Sequence, residues 1–254
     1  MASKIRLDQL LVDRGLAESR SKAQSLVMAG LVYSDTRRLD KPGHSIAVDA
    51  PITVKGKDHP WVSRGGLKLA HGLDFFGLDP VGRVCLDVGA STGGFTDVLL
   101  SRGAARVYAV DVGYGQLAQK LRDDPRVAVL ERTNARHLTA EQVPDPVGML
   151  VCDASFIGLR TLLPASLALV QPGGHAVALI KPQFEAGREK VGKKGVVSDA
   201  DVHQEVCETI RSWWDGLAGW RVLGIDKSPI TGPEGNVEFL IGAECFTAPV
   251  PDEQ

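Results

Sequence analysis

Long apolar runs, paired cysteines and a strong excess of either charge are all missing from this sequence of 254 residues. No apolar run reaches the roughly 18 residues of a membrane span, so we expect no membrane partner. The N-terminal MASKIRLDQL has no apolar h-region, so we expect no signal peptide and predict a cytoplasmic location. The four cysteines form no CxxC pair, which argues against a zinc site, and we predict no bound metal.

The composition is that of a globular protein, with 44% hydrophobic and 24% charged residues. The net charge of −2 conceals a small asymmetry, because residues 1–60 hold ten basic and seven acidic side chains. This excess is too small to predict nucleic-acid binding by itself.

The first sixty residues carry a helical pattern followed by short strands. Leu7, Leu10 and Leu11 have amphipathic helix spacing, and Gly15 is placed to end that helix. Ser19 is a suitable cap for a second helix. The segments LVYSD and SIAVDAPITV alternate as strands do, so we predict two short helices packed on a small sheet.

The rest of the chain alternates apolar strands with helical segments. CLDVGA, ARVYAVDV and HAVALI read as strands, while FTDVLLSRG and the long DVHQEVCETIRSWWDGL read as helices. This alternation predicts a doubly wound α/β sheet covered on both faces, with ligands at the carboxyl ends of its strands. We place the domain boundaries at residues 1–59 and 67–254, with a connector at 60–66.

A glycine-rich turn, DVGASTGGF, follows the first strand of this larger unit. A P-loop would need GxxxxGK[ST], but Phe95 stands where the lysine belongs. A dinucleotide fingerprint would need GxGxxG, whereas the spacing here is GxxxGG. The turn resembles the first motif of methyltransferases that use S-adenosylmethionine.

That resemblance implies S-adenosylmethionine as the cofactor. Asp111 ends the second strand and would accept the ribose hydroxyls, and Asp87 would suit the ammonium group. Asn134 stands where many such enzymes have an acidic residue that meets the adenine amino group. The implied cofactor-binding residues are Asp87, Gly89, Ser91, Thr92, Gly93, Gly94, Phe95, Asp111, Asn134 and Asp153.

The N-terminal segments RLDQLL, SRSKAQSLVMAG and KPG resemble an RNA-binding module named after a small-subunit ribosomal protein. The resemblance implies that basic residues here contact RNA phosphates, which position a protein without reading sequence. We also expect contacts from Arg64 and from the charged loop after residue 183, a candidate lid over RNA. The predicted RNA-binding residues are Arg6, Arg20, Lys22, Lys41, Arg64, Arg188, Lys193 and Lys194.

Four charged residues are predicted at one edge of the sheet. Asp153 follows GMLVC, Lys181 follows HAVALI, and Glu238 begins the last strand. Lys68 lies on a helix that precedes the first strand of this unit and could pack over the same edge. Together the four resemble the Lys-Asp-Lys-Glu tetrad of FtsJ-type ribose methyltransferases.

With the N-terminal module, the resemblance narrows to the TlyA family, which carries an older haemolysin label. It implies a Rossmann-like methyltransferase sheet with a small N-terminal α+β RNA-binding domain. It also implies methyl transfer to the 2′-hydroxyl of a cytidine in ribosomal RNA, within ribosomal subunits.

The chemistry of a ribose hydroxyl explains the need for such a set. Free lysine has a pKa of about 10.4, and burial or a neighbouring positive charge makes an amine more acidic. We expect Lys181 to receive the hydroxyl proton and Lys68 to stabilise the alkoxide, while Asp153 and Glu238 orient them.

Three alternatives remain open at this stage. A non-catalytic RNA-binding assembly factor would have no use for an intact tetrad. A membrane-lytic haemolysin has little support in a sequence without an apolar span or an obvious basic amphipathic helix. A dinucleotide oxidoreductase is disfavoured by the glycine spacing.

Overall fold

A computed structural model describes residues 4–17, 19–54, 59–192, 195–232 and 235–246. The chain divides into two compact units, with the boundary between Pro60 and Trp61. The first long helix of the second unit begins at Gly65, inside the stretch that we expected to be a connector.

The N-terminal unit contains the two predicted short helices and two small antiparallel sheets. Its elements are β1 (Lys4–Arg6), α1 (Leu7–Asp13), α2 (Arg20–Met28), β2 (Val32–Ser34), β3 (Arg37–Arg38), β4 (Ser45–Ala47) and β5 (Ile52–Val54). Strand β1 pairs with β4, and β2 lies between β3 and β5. The buried core includes Leu7, Leu11, Ala23, Val27 and Val32.

The predicted helix ends of this unit are present. Gly15 and Gly30 adopt left-handed φ values of 68° and 71°, and the Ser19 hydroxyl accepts a hydrogen bond from the Lys22 amide. Arg6 lies at the end of strand β1, directly before the first helix. The Leu7 amide donates to the His44 carbonyl, so the residues before Leu7 run alongside β4.

The second unit is the predicted α/β sheet. Its elements are α3 (Gly65–Phe76), β6 (Val84–Val88), α4 (Gly94–Ser101), β7 (Arg106–Val110), α5 (Gln119–Arg122), β8 (Val127–Leu130), β9 (Val147–Cys152), α6 (Leu159–Leu162), α7 (Pro164–Leu167), β10 (Val170–Ile180), α8 (Pro182–Glu185), α9 (Ala200–Asp215), β11 (Trp220–Lys227) and β12 (Phe239–Cys245). The strand order is β11-β12-β10-β9-β6-β7-β8. Strand β12 is antiparallel to both of its neighbours, while the pairs from β10 to β8 are parallel.

Apolar layers cover both faces of this sheet, which confirms the predicted fold class. Leu86 and Leu150 point to one layer with Trp214, which is fully buried. Cys85 and Met149 point to the other layer, with Val98 of α4 and Leu69 of α3. No helix in the described part of the chain is long and apolar enough to cross a bilayer.

Two segments with a helical sequence pattern form shorter helices than that pattern favours. The segment GQLAQKLRDD forms only the four-residue α5, and TLLPASLALVQ divides into α6 and α7. Pro164 is the first residue of α7, where its missing amide hydrogen is tolerated, but it cannot continue α6.

Helix α3 packs closely over the strands that carry the site. A Cβ atom on Gly72 would lie 3.2 Å from Cγ1 of Val177 in β10 and 3.4 Å from Cδ2 of Leu240 in β12. The glycine therefore permits a close helix–sheet approach that brings Lys68 over the same sheet edge.

Asp87 is a fully buried carboxylate at the end of β6. Its Oδ2 accepts a hydrogen bond of 2.6 Å from the Thr96 hydroxyl on α4, which ties the strand to the following helix. Its Oδ1 has no hydrogen-bond partner among the described residues. Burial raises the pKa of Asp87 to about 7, and the nearby negative charge of Asp153 adds to this increase.

The raised pKa of Asp87 predicts a pH dependence of stability. The folded protein retains this proton up to pH about 7, whereas the unfolded chain releases it near pH 3.8. The native state therefore binds more protons between these values, and the Asp87 contribution to the free energy of unfolding falls as pH rises through this window. Replacing Asp87→Asn is expected to remove that fall, as measured by urea unfolding across the pH range. Asp123→Asn, on the exposed surface, serves as the control, and an unchanged profile for Asp87→Asn would contradict the argument.

Candidate active site

The four charged residues singled out from the sequence form one connected chain of polar contacts. The Glu238 Oε2 lies 2.5 Å from the Lys68 Nζ. The Asp153 carboxylate stands between the two lysines, with Oδ2 3.9 Å from the Lys68 Nζ and Oδ1 2.6 Å from the Lys181 Nζ. Lys181 also donates to the Ser155 hydroxyl at 2.9 Å.

Each member comes from a different element, and the sheet brings them together. Asp153 follows β9 and Lys181 follows β10, and these adjacent parallel strands end at the same edge of the sheet. Glu238 directly precedes β12, not inside it as predicted, and Lys68 is on α3. Residues separated by 170 positions thereby share one ion pair.

The set is enclosed by the protein. Lys68, Lys181 and Glu238 are 5%, 6% and 1% exposed, so each charge depends on its partners instead of on water. The Glu238 Oε1 has no hydrogen-bond partner in the described ranges. A Cβ atom on Gly232 would collide with this carboxylate, so the loop that covers Glu238 requires a glycine there.

Two cavities adjoin at these residues. A cavity of about 560 Å³ contains Lys68, Asp153, Ser155 and Lys181 in its wall. A second cavity of about 510 Å³ extends past Asp111 and Asn134. The walls of both include Gly89, Ser91, Asp153 and Ser155. A ligand in the second cavity would therefore end beside the lysines.

The glycine turn is shaped by close protein packing. Gly89 has φ of 82°, and a Cβ there would lie 2.9 Å from the Ala154 Cα. Gly93 has φ of 97°, and its Cβ would collide with the Leu117 and Leu121 side chains. A Cβ on Gly94 would collide with the Ser63 hydroxyl. Protein neighbours therefore require these glycines, and a role for the glycines in binding a cofactor stays a prediction.

Asp111 and Asn134 lie at the wall of the second cavity. The Asp111 carboxylate accepts the Ser91 and Gly113 amides, each at 2.7 Å, which fixes its orientation. A carboxylate has about four lone-pair sites, so acceptor capacity remains for ribose hydroxyls. The Asn134 Oδ1 accepts the Arg136 amide at the start of a 3₁₀ turn. These donors and acceptors fit a nucleoside such as that of S-adenosylmethionine.

The other predicted cofactor residues divide between the cavity walls and the protein interior. Thr92, Gly94 and Phe95 line the first cavity. Asp87 and Gly93 line neither cavity, because Asp87 bonds to Thr96 and Gly93 packs on leucines. Contact between Asp87 and an ammonium group stays a prediction.

Sequence reasoning missed three residues that border the site. Ser155 and Phe156 come two and three positions after Asp153 in the DASF segment, and Ser63 comes from the expected connector. Phe156 is 90% exposed and has a positive φ of 68°, which is uncommon for a bulky residue. Its ring centroid lies 5.2 Å from that of Phe184. For Ser155 and Phe156, the short distance along the chain from Asp153 was the sequence signal that could have identified them.

The predicted RNA-binding residues occupy exposed positions wherever they are described. Arg64 borders the first cavity and donates to the Thr231 carbonyl, and Arg188 lies in a 3₁₀ turn. Lys193 and Lys194 lie outside the described residues. In the N-terminal unit, Lys22 and Lys41 are exposed, and Arg6 and Arg20 both contact Asp8.

Comparisons with known proteins agree with this architecture. Residues 61–245 match the FtsJ-like methyltransferase family, and residues 5–50 match the S4 domain. The 16S/23S rRNA (cytidine-2′-O)-methyltransferase TlyA of Mycobacterium tuberculosis is 48% identical over 95% of this chain and 90% of its own length. Hemolysin A of Brachyspira hyodysenteriae is 38% identical over 93% of this chain and 98% of its own.

A solved structure from Streptococcus thermophilus, which carries a provisional hemolysin designation, is also similar. It has 44% sequence identity and a TM-score of 0.75, and the match covers all of this chain and 92% of that one. The chain thus belongs to the FtsJ-like methyltransferase family and, within it, to the TlyA group with an N-terminal S4 domain.

Proposed function

We propose that this chain transfers a methyl group from S-adenosylmethionine to the 2′-hydroxyl of a cytidine in ribosomal RNA. The observation that carries the proposal is the Glu238–Lys68–Asp153–Lys181 chain of contacts at the junction of two cavities. The family and the activity named for the 48% identical TlyA relative support the same reaction.

The second cavity has the groups that a sulfonium nucleoside would need. Asp111 would bind the ribose hydroxyls and Asn134 the adenine, while the Gly89 turn and Asp153 border the path toward the lysines. When bound, S-adenosylmethionine supplies an electrophilic methyl group.

The tetrad residues have separate tasks in activating the hydroxyl. Lys181 acts as the neutral amine, after it has released its own proton to solvent: its Nζ takes the 2′-hydroxyl proton as the oxygen bonds to the methyl carbon and the methyl–sulfur bond breaks, which leaves a neutral thioether. The Nζ of Lys68 stabilises negative charge on that oxygen. Asp153 contacts both amines and orients them, and Glu238 holds Lys68 at 2.5 Å. Holding the reactants in line contributes about 7–11 kcal/mol in well-oriented systems.

The remaining parts of the chain serve substrate binding. The S4 domain binds RNA through Arg6, Arg20, Lys22 and Lys41. Arg64 and Arg188 contact RNA near the catalytic cavity. We infer that the substrate is RNA within a ribosomal subunit, which in turn implies a cytoplasmic location.

The proposed reaction is tested by mapping 2′-O-methyl groups in ribosomal RNA from cells with and without the gene. At least one methylated cytidine is expected to be lost and to return with the wild-type gene. A purified subunit whose target nucleotide is 2′-deoxycytidine is expected to accept no methyl group. Identical maps in both strains would contradict the proposal.

Lys181→Ala is expected to slow methyl transfer by about 10² to 10⁴-fold, the usual contribution of proton transfer. Lys181 borders the first cavity only, so cofactor affinity is expected to stay close to that of the wild type. Single-turnover rates and calorimetric titration of cofactor measure the two effects. Lys227→Ala on the exposed face of β11 is the control. Wild-type methylation by Lys181→Ala would disprove the assignment of the base.

Phe156 adds an exposed aromatic surface to the wall of the second cavity, three residues after Asp153. Its side chain borders the second cavity and packs against the ring of Phe184. Its backbone, directly after Ser155, has a strained positive φ. An exposed ring in such a place can stack on an unpaired base, and a target nucleotide must leave its helix before its ribose can enter an enclosed site.

Phe156→Ala is therefore expected to lower kcat/KM for RNA by about tenfold or more, since stacking contributes about 1–3 kcal/mol per base. Phe156→Trp is expected to restore most of the loss. The assay is methyl transfer at saturating cofactor with varied subunit concentration. Phe75→Ala, at another exposed aromatic residue, is expected to have no effect. Equal kcat/KM values for Phe156→Ala and the wild type would exclude the stacking role.

A further inference from the structure

A buried carboxylate lies beneath the exposed arginines of the N-terminal unit. The Asp8 side chain is 0% exposed, whereas those of Arg6 and Arg20 are 54% and 52% exposed. Arg6 donates from Nε to Oδ1 at 3.0 Å and from Nη2 to Oδ2 at 2.8 Å. Arg20 donates to Oδ2 at 3.2 Å, and Gln24 donates to the same oxygen at 3.0 Å.

This carboxylate joins three separate parts of the unit. Arg6 ends β1, while Arg20 and Gln24 lie one turn apart on α2. The Asp8 amide donates to the Pro42 carbonyl at 3.0 Å, which fixes the KPG turn beside them. A Cβ on Gly43 would lie 3.2 Å from Nη1 of Arg6, so the guanidinium is confined between Asp8 and this turn. Lys41 begins the same turn.

The arrangement leaves donors for an anion. Arg6 uses Nε and Nη2 on Asp8, and Arg20 uses one Nη2 bond. Among the residues that the structure describes, no hydrogen-bond acceptor is found for Nη1 of Arg6 or for Nε and Nη1 of Arg20. Guanidinium groups with free N–H donors match phosphate oxygens well.

Asp8 also presents an apparent disadvantage for RNA binding. The Arg6 guanidinium keeps the pKa of Asp8 far below its usual range, so the carboxylate is ionised at neutral pH. A negative charge beneath an RNA-binding face repels phosphate and weakens binding if Coulomb attraction alone decides affinity. A buried negative charge at Asp8 favours RNA binding only if it has a second effect, and holding the two arginines in a fixed geometry is such an effect.

We propose that Asp8 is a positioning residue that holds Arg6 and Arg20 in one arrangement that matches successive RNA phosphates. The inference rests on the proposed function, because it takes RNA as the ligand of this face. Asp8 touches no phosphate itself and acts through the two arginines. The free protein has already ordered two long side chains, so RNA binding loses less conformational entropy.

The direction in which Asp8→Asn changes RNA affinity distinguishes this positioning role from a purely electrostatic effect of the Asp8 charge. Removing a negative charge alone would tighten RNA binding, whereas losing the arginine geometry would weaken it. Asp8→Asn is expected to raise the Kd for unmethylated ribosomal subunits by about tenfold and to lower the salt dependence by about one phosphate contact. Asp13→Asn, an exposed acid on the same helix, is the matched control and is expected to bind equally or slightly more tightly.

The measurement is filter binding of the full chain to subunits from cells that lack the gene, over a range of salt concentrations. Cofactor affinity and kcat at saturating subunits are expected to match the wild type, so that the change appears in KM. An Asp8→Asn protein that binds subunits as tightly as the wild type, or more tightly, overturns the inference.

A second variant decides the matter if Asp8→Asn does not fold. Gln24→Ala removes one hydrogen bond to Asp8 and changes no charge. It is expected to weaken subunit binding in the same direction, by about twofold. Unchanged binding by Gln24→Ala then overturns the positioning role. If the wild-type chain does not bind subunits, RNA binding and the inference both fail, whereas normal wild-type binding with unaffected variants overturns the inference alone.

Discussion

The site depends on the ion pairs that the Asp153 carboxylate makes with two buried lysines, Lys68 and Lys181. Lys181 at 2.6 Å and Lys68 at 3.9 Å both need this acceptor, and Glu238 supplies the second negative charge. Two amines and two carboxylates lie together, and only the Asp153 side chain, at 21%, is more than 7% exposed. An enclosed charge without its partner is costly, so removing one member disturbs the other three. Catalysis and local stability therefore depend on the same contacts.

The sheet makes this balance possible by ending β9 and β10 at one edge, and α3 closes over them because Gly72 permits a near approach. Backbone strain collects around the same edge. Ser91 and Phe156 both have positive φ and both border the cavities. Such conformations persist only where neighbouring contacts hold them, and they commonly accompany functional sites. In the N-terminal unit, one buried carboxylate, Asp8, likewise pairs with two basic side chains, the exposed Arg6 and Arg20.

The sequence predicted the sheet and placed Asp153 and Lys181 at strand ends, because each follows an apolar run. Their grouping with Lys68 and Glu238 came from the resemblance to the Lys-Asp-Lys-Glu tetrad. The sequence did not predict that α5 stops after four residues or that α6 ends at Leu162, before Pro164, since helical periodicity continues past both points. Nor could it show the exposure and positive φ of Phe156 or the hydrogen bonds of Asp8. Exposure, a positive φ and hydrogen bonds between distant residues depend on tertiary structure, and one sequence carries no period or motif for them.

The role of Asp153 can be measured directly with Asp153→Asn, which keeps the shape of the side chain and removes its charge. The measurement is the single-turnover rate of methyl transfer to unmethylated subunits at saturating S-adenosylmethionine, with circular dichroism to establish folding. We predict a fall of about 10²-fold or more in a folded protein, because Lys181 loses its ionic partner and Lys68 keeps only Glu238. A folded Asp153→Asn enzyme that transfers methyl groups at the wild-type rate would contradict it.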